Sequence, residues 1–445
     1  MMNLDEVAEW TGGRRHGEAE IREVSTDTRT IRPGALFVAL RGARFDGHDH
    51  LAEADAAGAA AALVEPGVKR PSLPRVEVAD TGQGLLDLAA GWRRLTDAEV
   101  VAITGSCGKT TVKEMVASIL RAAEARTLAT PGNHNNTVGL PLTLFGLSRD
   151  HRYAVVEVGI NRPGEMERLA PVAAPDVAVI TNAAAAHLEG LGSLEGVATE
   201  KGRLLQGLGP DGVAVLNADS PFVEQWARSA PGAVLRFGMD APAEVRGAWE
   251  AAGSGGRLWL RLPDGEGEVR LPLPGRHNAC NALAAAAAAS ALGIPRASVI
   301  RGLEAVVPAS GRLHLRAGLG GLTVLDDTYN ANPASLAAAL DVLAGEAVRT
   351  WLVLGDMGEL GASGAELHRQ AGEQALAVGV NHLLAVGDLA GEAVCAFGGG
   401  GRRVAHWEEV ADILETEAAS GDRVLIKGSR TMRLERLVAR LTGEY

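Results

Sequence analysis

Apolar residues along this chain fall into short unbroken runs separated by stretches of helical spacing. Residues 100–103 form one such run, long enough for a buried strand, and Val112, Met115, Val116, Ile119 and Leu120 then recur at helical intervals. The pattern repeats at 153–158, 177–181 and 213–216, which read as further strands. Strands apolar on both faces and separated by helical patterns imply a mostly parallel sheet. Upstream, 35–40 and 60–64 read as strands and 51–57 and 85–95 as helices. Residues 253–274 read as an antiparallel hairpin turning at Asp264-Gly265. An alanine-rich helix follows and ends at Gly293, with Pro295 just past it. From about residue 310, strands at 323–327, 350–356, 382–386 and 423–428 alternate with helices at 333–343, 365–377, 408–417 and 432–441. That alternation predicts a doubly wound open sheet.

The fold class expected is α/β in three domains. A small N-terminal α/β domain spans 1–97, a central domain with a mostly parallel sheet spans 98–309, and a C-terminal Rossmann-like doubly wound domain spans 310–445. A length of 445 residues is too great for one core. A formal net charge of -12 argues against a nucleic-acid binder, whose affinity needs a basic face. Cys107, Cys280 and Cys395 are few, odd in number and far apart, which fits a reducing compartment without a disulfide frame or zinc spacing. The acidic N-terminus lacks the apolar core of a signal peptide, and the longest apolar run, 282–292, falls far short of a membrane span. The expected location is the cytoplasm.

Candidate chemistry centres on TGSCGKTT, residues 104–111, between the strand at 100–103 and the helix after it. Gly105 and Gly108 permit a tight turn that brings backbone N–H groups toward an anion. The helix that follows directs its positive dipole end to the same place. Lys109 adds a full charge, and Thr110 offers a hydroxyl to Mg²⁺. Ile103 stands where the usual GxxxxGK[ST] pattern begins with glycine. Glu157 closes the second strand, where it can hold a metal or simply be solvated. His187 follows the third strand as a ligand or as a structural imidazole, and Lys201 by itself reads as a surface charge. Asn133, Asn135 and Asn136, and Asn278 with Asn281, suit turns and caps as well as substrate amide contacts. Polar groups crowd the strand ends of the last domain: Arg312, 326–333, 355–360 and 427–430. Arg312, Lys427 and Arg430 could face an anion across a cleft. The polar stretches 25–29 and 41–50 suit a loop gripping a phosphorylated ligand, or ordinary surface loops.

TGSCGKTTVKEM, GNHNNTVGLPLTL, VVEVGIN, TNAAAAHLEGLGS, PGRHNACNALAAA, DDTYNANPAS, LGDMGELG and VLIKGSR, in this order, resemble the Mur ligases along the whole chain. Isoleucine at the first loop position is that family's own variant. The resemblance implies one domain for a UDP-sugar, one for ATP and a mobile ligase domain closing over both. It implies that Gly105, Ser106, Cys107, Gly108, Lys109, Thr110 and Thr111 hold the ATP phosphates, with Asn136, Asn278, Asn281, Arg312 and Asp327 around the nucleotide. Thr110 and Glu157 would bind one Mg²⁺ and His187 a second, with Lys201 carried as a carbamate. Lys109, Lys201, His187 and Arg312 would be catalytic. Ser25, Asp27 and Arg29 would face the uridine, and Tyr329 and Asn332 would approach substrate from the last domain.

The implied reaction joins D-alanyl-D-alanine to UDP-N-acetylmuramoyl-tripeptide through an acyl phosphate, in peptidoglycan precursor synthesis. No nucleic acid, no membrane insertion and a monomeric state are expected. Cys107, His134, Ile160 and Arg162 depart from the family's usual residues. A sister ligase adding a single amino acid, a folylpolyglutamate synthase, or a non-catalytic nucleotide-binding scaffold are the alternatives.

Overall fold

In the computed structural model of the chain, residues 1–42, 45–68, 73–344 and 348–444 are described. Part of the 41–50 stretch, residues 43 and 44, lies outside them. The chain forms three α/β layers in sequence, each around its own sheet.

The first sheet has five strands, in the order Arg14–His16, Arg75–Glu77, Ala61–Val64, Ala35–Val38 and Glu23–Ser25. All pair in parallel except the first. Its last helix, Thr81–Arg93, starts four residues earlier than the apolar pattern suggests, because the Asp80 side chain caps it by accepting the Gln83 N–H. Leu86 and Ala89 of this helix join the core beneath the central sheet rather than that of their own domain.

The central sheet has nine strands. Thr127–Ala129, Tyr153–Glu157, Glu99–Thr104, Val177–Ile180, Val213–Asn217, Ala233–Gly238 and Val245–Ala252 run parallel, and the hairpin Gly255–Leu262 and Gly265–Leu271 completes the edge antiparallel. The alanine-rich helix, Arg276–Ala291, lies across it with residues 282–289 fully buried. Alanine there lets helix and sheet approach closely. Ile103 is also fully buried, since position 103 still belongs to the strand and pairs with Glu157 and Val179. A glycine there would remove core side chain and gain nothing.

The third sheet has six strands in the order His314–Ala317, Thr323–Asp327, Arg423–Lys427, Thr350–Gly355, His382–Val386 and Gly401–Val404, parallel after the first. The last helix begins at Glu435 rather than 432, because Arg433 takes a left-handed φ of 52° and breaks the turn. Among the described residues no helix is long and apolar enough to cross a membrane.

Candidate active site

The glycine loop sits at the carboxyl end of Glu99–Thr104 and runs into the helix Lys109–Ala122. Gly105 has φ +154°, and a Cβ there would lie 1.9 Å from Thr181 Oγ1. Gly108 has φ +82°, and a Cβ there would lie 2.3 Å from Asn281 Oδ1. Both positions therefore exclude a side chain by contact, and Gly108 by backbone conformation too. Lys109 Nζ donates to Gly105 O at 2.8 Å, closing the loop on itself.

Neighbouring strand ends hold the loop. Thr181 Oγ1 donates to Cys107 O at 2.6 Å, and the Cys107 N–H donates to Asn182 Oδ1 at 2.9 Å. Ser106 Oγ accepts the Ala184 N–H at 2.9 Å. Thr181 and Asn182 escaped notice as site residues in the sequence. Their signal was present, as a Thr-Asn pair at the end of an apolar strand.

Glu157 is buried, and both carboxylate oxygens are engaged. Thr110 Oγ1 donates to one at 2.8 Å and Asn135 Nδ2 to the other at 2.8 Å. Arg312, reaching over from the third domain, donates to Thr110 Oγ1 at 3.1 Å while its guanidinium lies 3.9 Å from the Tyr329 ring centroid. Asn332 caps the helix Pro333–Leu343 and brings its carboxamide within 3.4 Å of Cys107 Sγ. His187, at left-handed φ 57°, pairs with Glu359 of the third domain, and that contact holds the Glu359 carboxyl below its usual range.

Lys201 is no surface charge: it is fully buried, and among the described residues its Nζ has no hydrogen-bond partner. Burial, reinforced by the Lys109 charge, pushes its ammonium well below the usual lysine range. Burial also lowers Lys109, against the opposing pull of Glu157. His277 is pushed down to about 4 by burial, with Asp327 opposing and Lys427 assisting.

These groups line one cavity of about 700 Å³ between the second and third domains. Ser106, Cys107, Gly108, Lys109, Thr111, Asn136, Glu157, His187, Asn278, Asn281, Arg312, Asp327, Tyr329 and Asn332 all face it. Gly105 and Thr110 lie in the loop itself, and Lys201 lies behind it. Several expected ligand groups are committed locally. Asn136 Oδ1 accepts the N–H groups of Val138 and Gly139, Asn278 Nδ2 donates to Pro274 O, and Asn281 Nδ2 donates to Asn278. Lys427 is neutralised by Asp327 at 2.5 Å, which leaves Arg312, among the described residues, as the cation that reaches the loop from the third domain.

Ser25, Asp27 and Arg29 do not line this cavity. They bond one another in the first domain, where Arg29 holds the Asp27 carboxyl down to about 2. Asp219 is a further site residue the motifs did not single out. Its carboxylate accepts the N–H groups of Met239, Asp240 and Ala241 and shapes the cavity floor. Among the described residues no group of three His, Cys, Asp or Glu side chains converges on a metal position. The donors beside the loop are instead one hydroxyl and one carboxylate, an all-oxygen pair suited to a hard cation.

Such a loop, strand, acid and cavity define a P-loop α/β protein built to hold nucleotide phosphates at the carboxyl edge of a parallel sheet. The chain belongs to the Mur ligase family. Residues 20–91 match the model described as Mur ligase family, catalytic domain; 103–289 match the Mur ligase middle domain; and 311–430 match the Mur ligase, glutamate ligase domain.

The UDP-N-acetylmuramoyl-tripeptide–D-alanyl-D-alanine ligase of Escherichia coli (strain K12) is 40% identical over 99% of this chain and 98% of its own length. The ligase of the same name from Bacillus subtilis (strain 168) is 34% identical over 98% and 96%. A crystal structure of MurF from Acinetobacter baumannii superposes with a TM-score of 0.93, at 34% identity over 99% of this chain and 98% of that one. MurF from Thermotoga maritima in complex with ADP superposes at 0.85, with 27% identity over 95% and 97%. The three-domain architecture is that of these structures.

Proposed function

We propose that the chain is an ATP-dependent ligase that joins D-alanyl-D-alanine to UDP-N-acetylmuramoyl-tripeptide, a cytoplasmic step of peptidoglycan precursor synthesis. The observation that carries the reading is likeness along 99% of the chain to a ligase of that activity, with Lys109, Thr110 and Glu157 in place around one cavity. Residues 1–97 would receive the UDP-sugar, with Ser25, Asp27 and Arg29 on the uridine side. Residues 98–309 would bind ATP, and 310–445 would bring the amine.

A carboxylate resists attack by an amine until its oxygen becomes a leaving group. Transfer of the ATP γ-phosphoryl to the tripeptide carboxylate gives an acyl phosphate, the amine adds to the carbonyl, and phosphate leaves. Every early participant is anionic, so the protein's task is to offset charge. The loop N–H groups and the helix dipole cradle the phosphates. Lys109, held over the loop by Gly105 O, faces the phosphoryl group in flight. Arg312 completes the positive wall only when the third domain is docked, which also keeps water from the acyl phosphate.

Thr110 and Glu157 would hold one Mg²⁺, and His187 with Lys201 a second. A bound divalent cation supplies charge neutralisation between the phosphate oxygens and the incoming carboxylate. An unpartnered, buried amine that favours its neutral form fits addition of carbon dioxide, which releases a proton and leaves an anionic carbamate. Activity should then rise with added bicarbonate after the protein is stripped of carbon dioxide, and Lys201→Ala should abolish that response. Phosphate release measured with UDP-N-acetylmuramoyl-tripeptide and ATP, with and without D-alanyl-D-alanine, tests the reaction itself. Release that ignores the dipeptide, or that follows a single amino acid instead, would overturn it.

A further inference from the structure

The incoming dipeptide is a zwitterion that must enter a cavity already positive around Lys109 and Arg312. Its ammonium needs a carboxylate near the loop, and most carboxylates facing the cavity are committed. Glu157 is saturated by Thr110 and Asn135, Asp327 by Lys427 and the Leu313 N–H, and Asp219 by three backbone N–H groups. Asp240 pairs with Arg276. Asp341 also faces the cavity, from an exposed position on the helix Pro333–Leu343. Glu359 differs from all of these. Its partner is His187, an imidazole rather than a fixed cation, and both face the cavity.

The backbone is built to put it there. Residues 356–360 follow the strand Thr350–Gly355. Asp356 Oδ1 accepts the Ala390 N–H at 2.7 Å, and the Met357 N–H donates to the fully buried His368 at 2.9 Å. Met357 and Leu360 are themselves buried. Between these anchors Glu359 takes φ +63°, a left-handed posture that costs a glutamate roughly 1 kcal/mol or more. Its carbonyl accepts the Glu189 N–H at 3.3 Å, which sets the loop against the central domain. Strain held between buried anchors marks a side chain whose direction matters.

A matching cation stands next door. The Ser429 N–H donates to Asp356 O at 2.9 Å, so the 427–430 segment packs on the Glu359 loop. Arg430 follows, outside the cavity lining but beside it, with its guanidinium 6.0 Å from the Tyr329 ring centroid and, among the described residues, an exposed 3.4 Å pair with Glu435. One neighbouring loop therefore offers a carboxylate and the other an arginine.

Resting on the ligase reading above, we propose that Glu359 binds the ammonium of the incoming dipeptide and Arg430 its terminal carboxylate. The two residues form a zwitterion clamp that selects the amine substrate. His187, which would hold the second Mg²⁺, gives up Glu359 once the nucleotide site is loaded, and this frees the carboxylate for the ammonium.

Hydroxylamine separates this role from domain latching, because it captures the acyl phosphate as a hydroxamate without needing either charge. Wild type and Glu359→Gln are compared with UDP-N-acetylmuramoyl-tripeptide, ATP and either D-alanyl-D-alanine or hydroxylamine. The variant should raise KM for the dipeptide about ten-fold or more, the scale of a lost charge-assisted hydrogen bond. Hydroxamate formation and the KM for ATP should stay within about two-fold of wild type, a change worth under about 0.5 kcal/mol. Wild type should prefer D-alanyl-D-alanine to its C-terminal amide, and Arg430→Gln should erase that preference. Parallel loss of hydroxamate, an unchanged dipeptide KM, or a retained preference for the free acid would each overturn the clamp. Absence of both products in the wild type would instead overturn the ligase reading, so the two failures are distinct.

Discussion

Lys109 shows how much one side chain is asked to do. Its Nζ rests on a carbonyl of its own loop, and the buried Glu157 carboxylate that it faces keeps two donors of its own, Thr110 and Asn135, after truncation. Lys109→Ala should therefore keep its far-UV circular dichroism and melting midpoint, yet lose ADP formation by about 10²–10³-fold or more. His277 gives a second residue-scale expectation, this time in stability. Its folded pKa of about 4 lies below the unfolded value of 6.5. Between those values the unfolded chain binds a proton that the native chain does not. Stability thus rises with pH across that window and is lost as pH falls from 6.5 toward 4. The effect is at most about 3 kcal/mol, the linkage limit for a gap of that size. Urea melts of wild type and His277→Gln at pH 7 and pH 4.5 should converge as pH falls; equal spacing at both pH values would remove His277 as the cause.

At the scale of elements, Gly108 joins backbone conformation to packing. Alanine there meets Asn281 and a left-handed φ together, so Gly108→Ala should destabilise by about 1–3 kcal/mol and weaken nucleotide binding. Calorimetric titration with ADP and a thermal melt would read both effects; a variant binding ADP like wild type would show that the loop can rearrange. The strand preceding this loop was legible because it is an unbroken apolar run buried on both faces. Thr323–Asp327 and Pro333–Leu343 were legible down to the residue, the helix because Asn332 and Pro333 announce its start. Val245–Ala252 was not. It lies near the sheet edge, alternates small with exposed residues, and owes its place to pairing with its neighbours. In the sequence alone residues 194–208 read as one helix; in the structure the helix stops at Gly202 and continues as a 3₁₀ turn, where Trp226 packs against the glycine. Lys201 was misjudged for a related reason. A lysine on a helix looks solvated until the tertiary fold covers it, and no local pattern records that covering.

The whole molecule is joined unequally, and the inequality says which part moves. The first domain is tied to the second by shared core: Leu86 and Ala89 pack in the central core, and Trp92 Nε1 donates to Leu147 O at 3.2 Å. The third domain meets the second chiefly at the cavity, through Arg312 with Thr110, Asn332 with Cys107, and Glu359 with His187 and Glu189. These contacts are few and polar, and each is worth little in net stability. Ligand bridging the cavity would add the larger share, so docking of the third domain should follow nucleotide and substrate occupancy. The segment 305–311 that joins the two domains contains Pro308 and leaves Val307 77% exposed, as a hinge requires. Arg312→Ala removes the contact that reaches the loop without disturbing either core. The variant should bind ADP within about three-fold of wild type, a difference of well under 1 kcal/mol, yet lose turnover by about 10²-fold. Small-angle scattering supplies the structural readout. Wild type should become more compact when ATP analogue and UDP-N-acetylmuramoyl-tripeptide are both present, and Arg312→Ala should contract less. Equal contraction in the variant with full turnover would mean that docking depends on other contacts and that Arg312 is not the group completing the site.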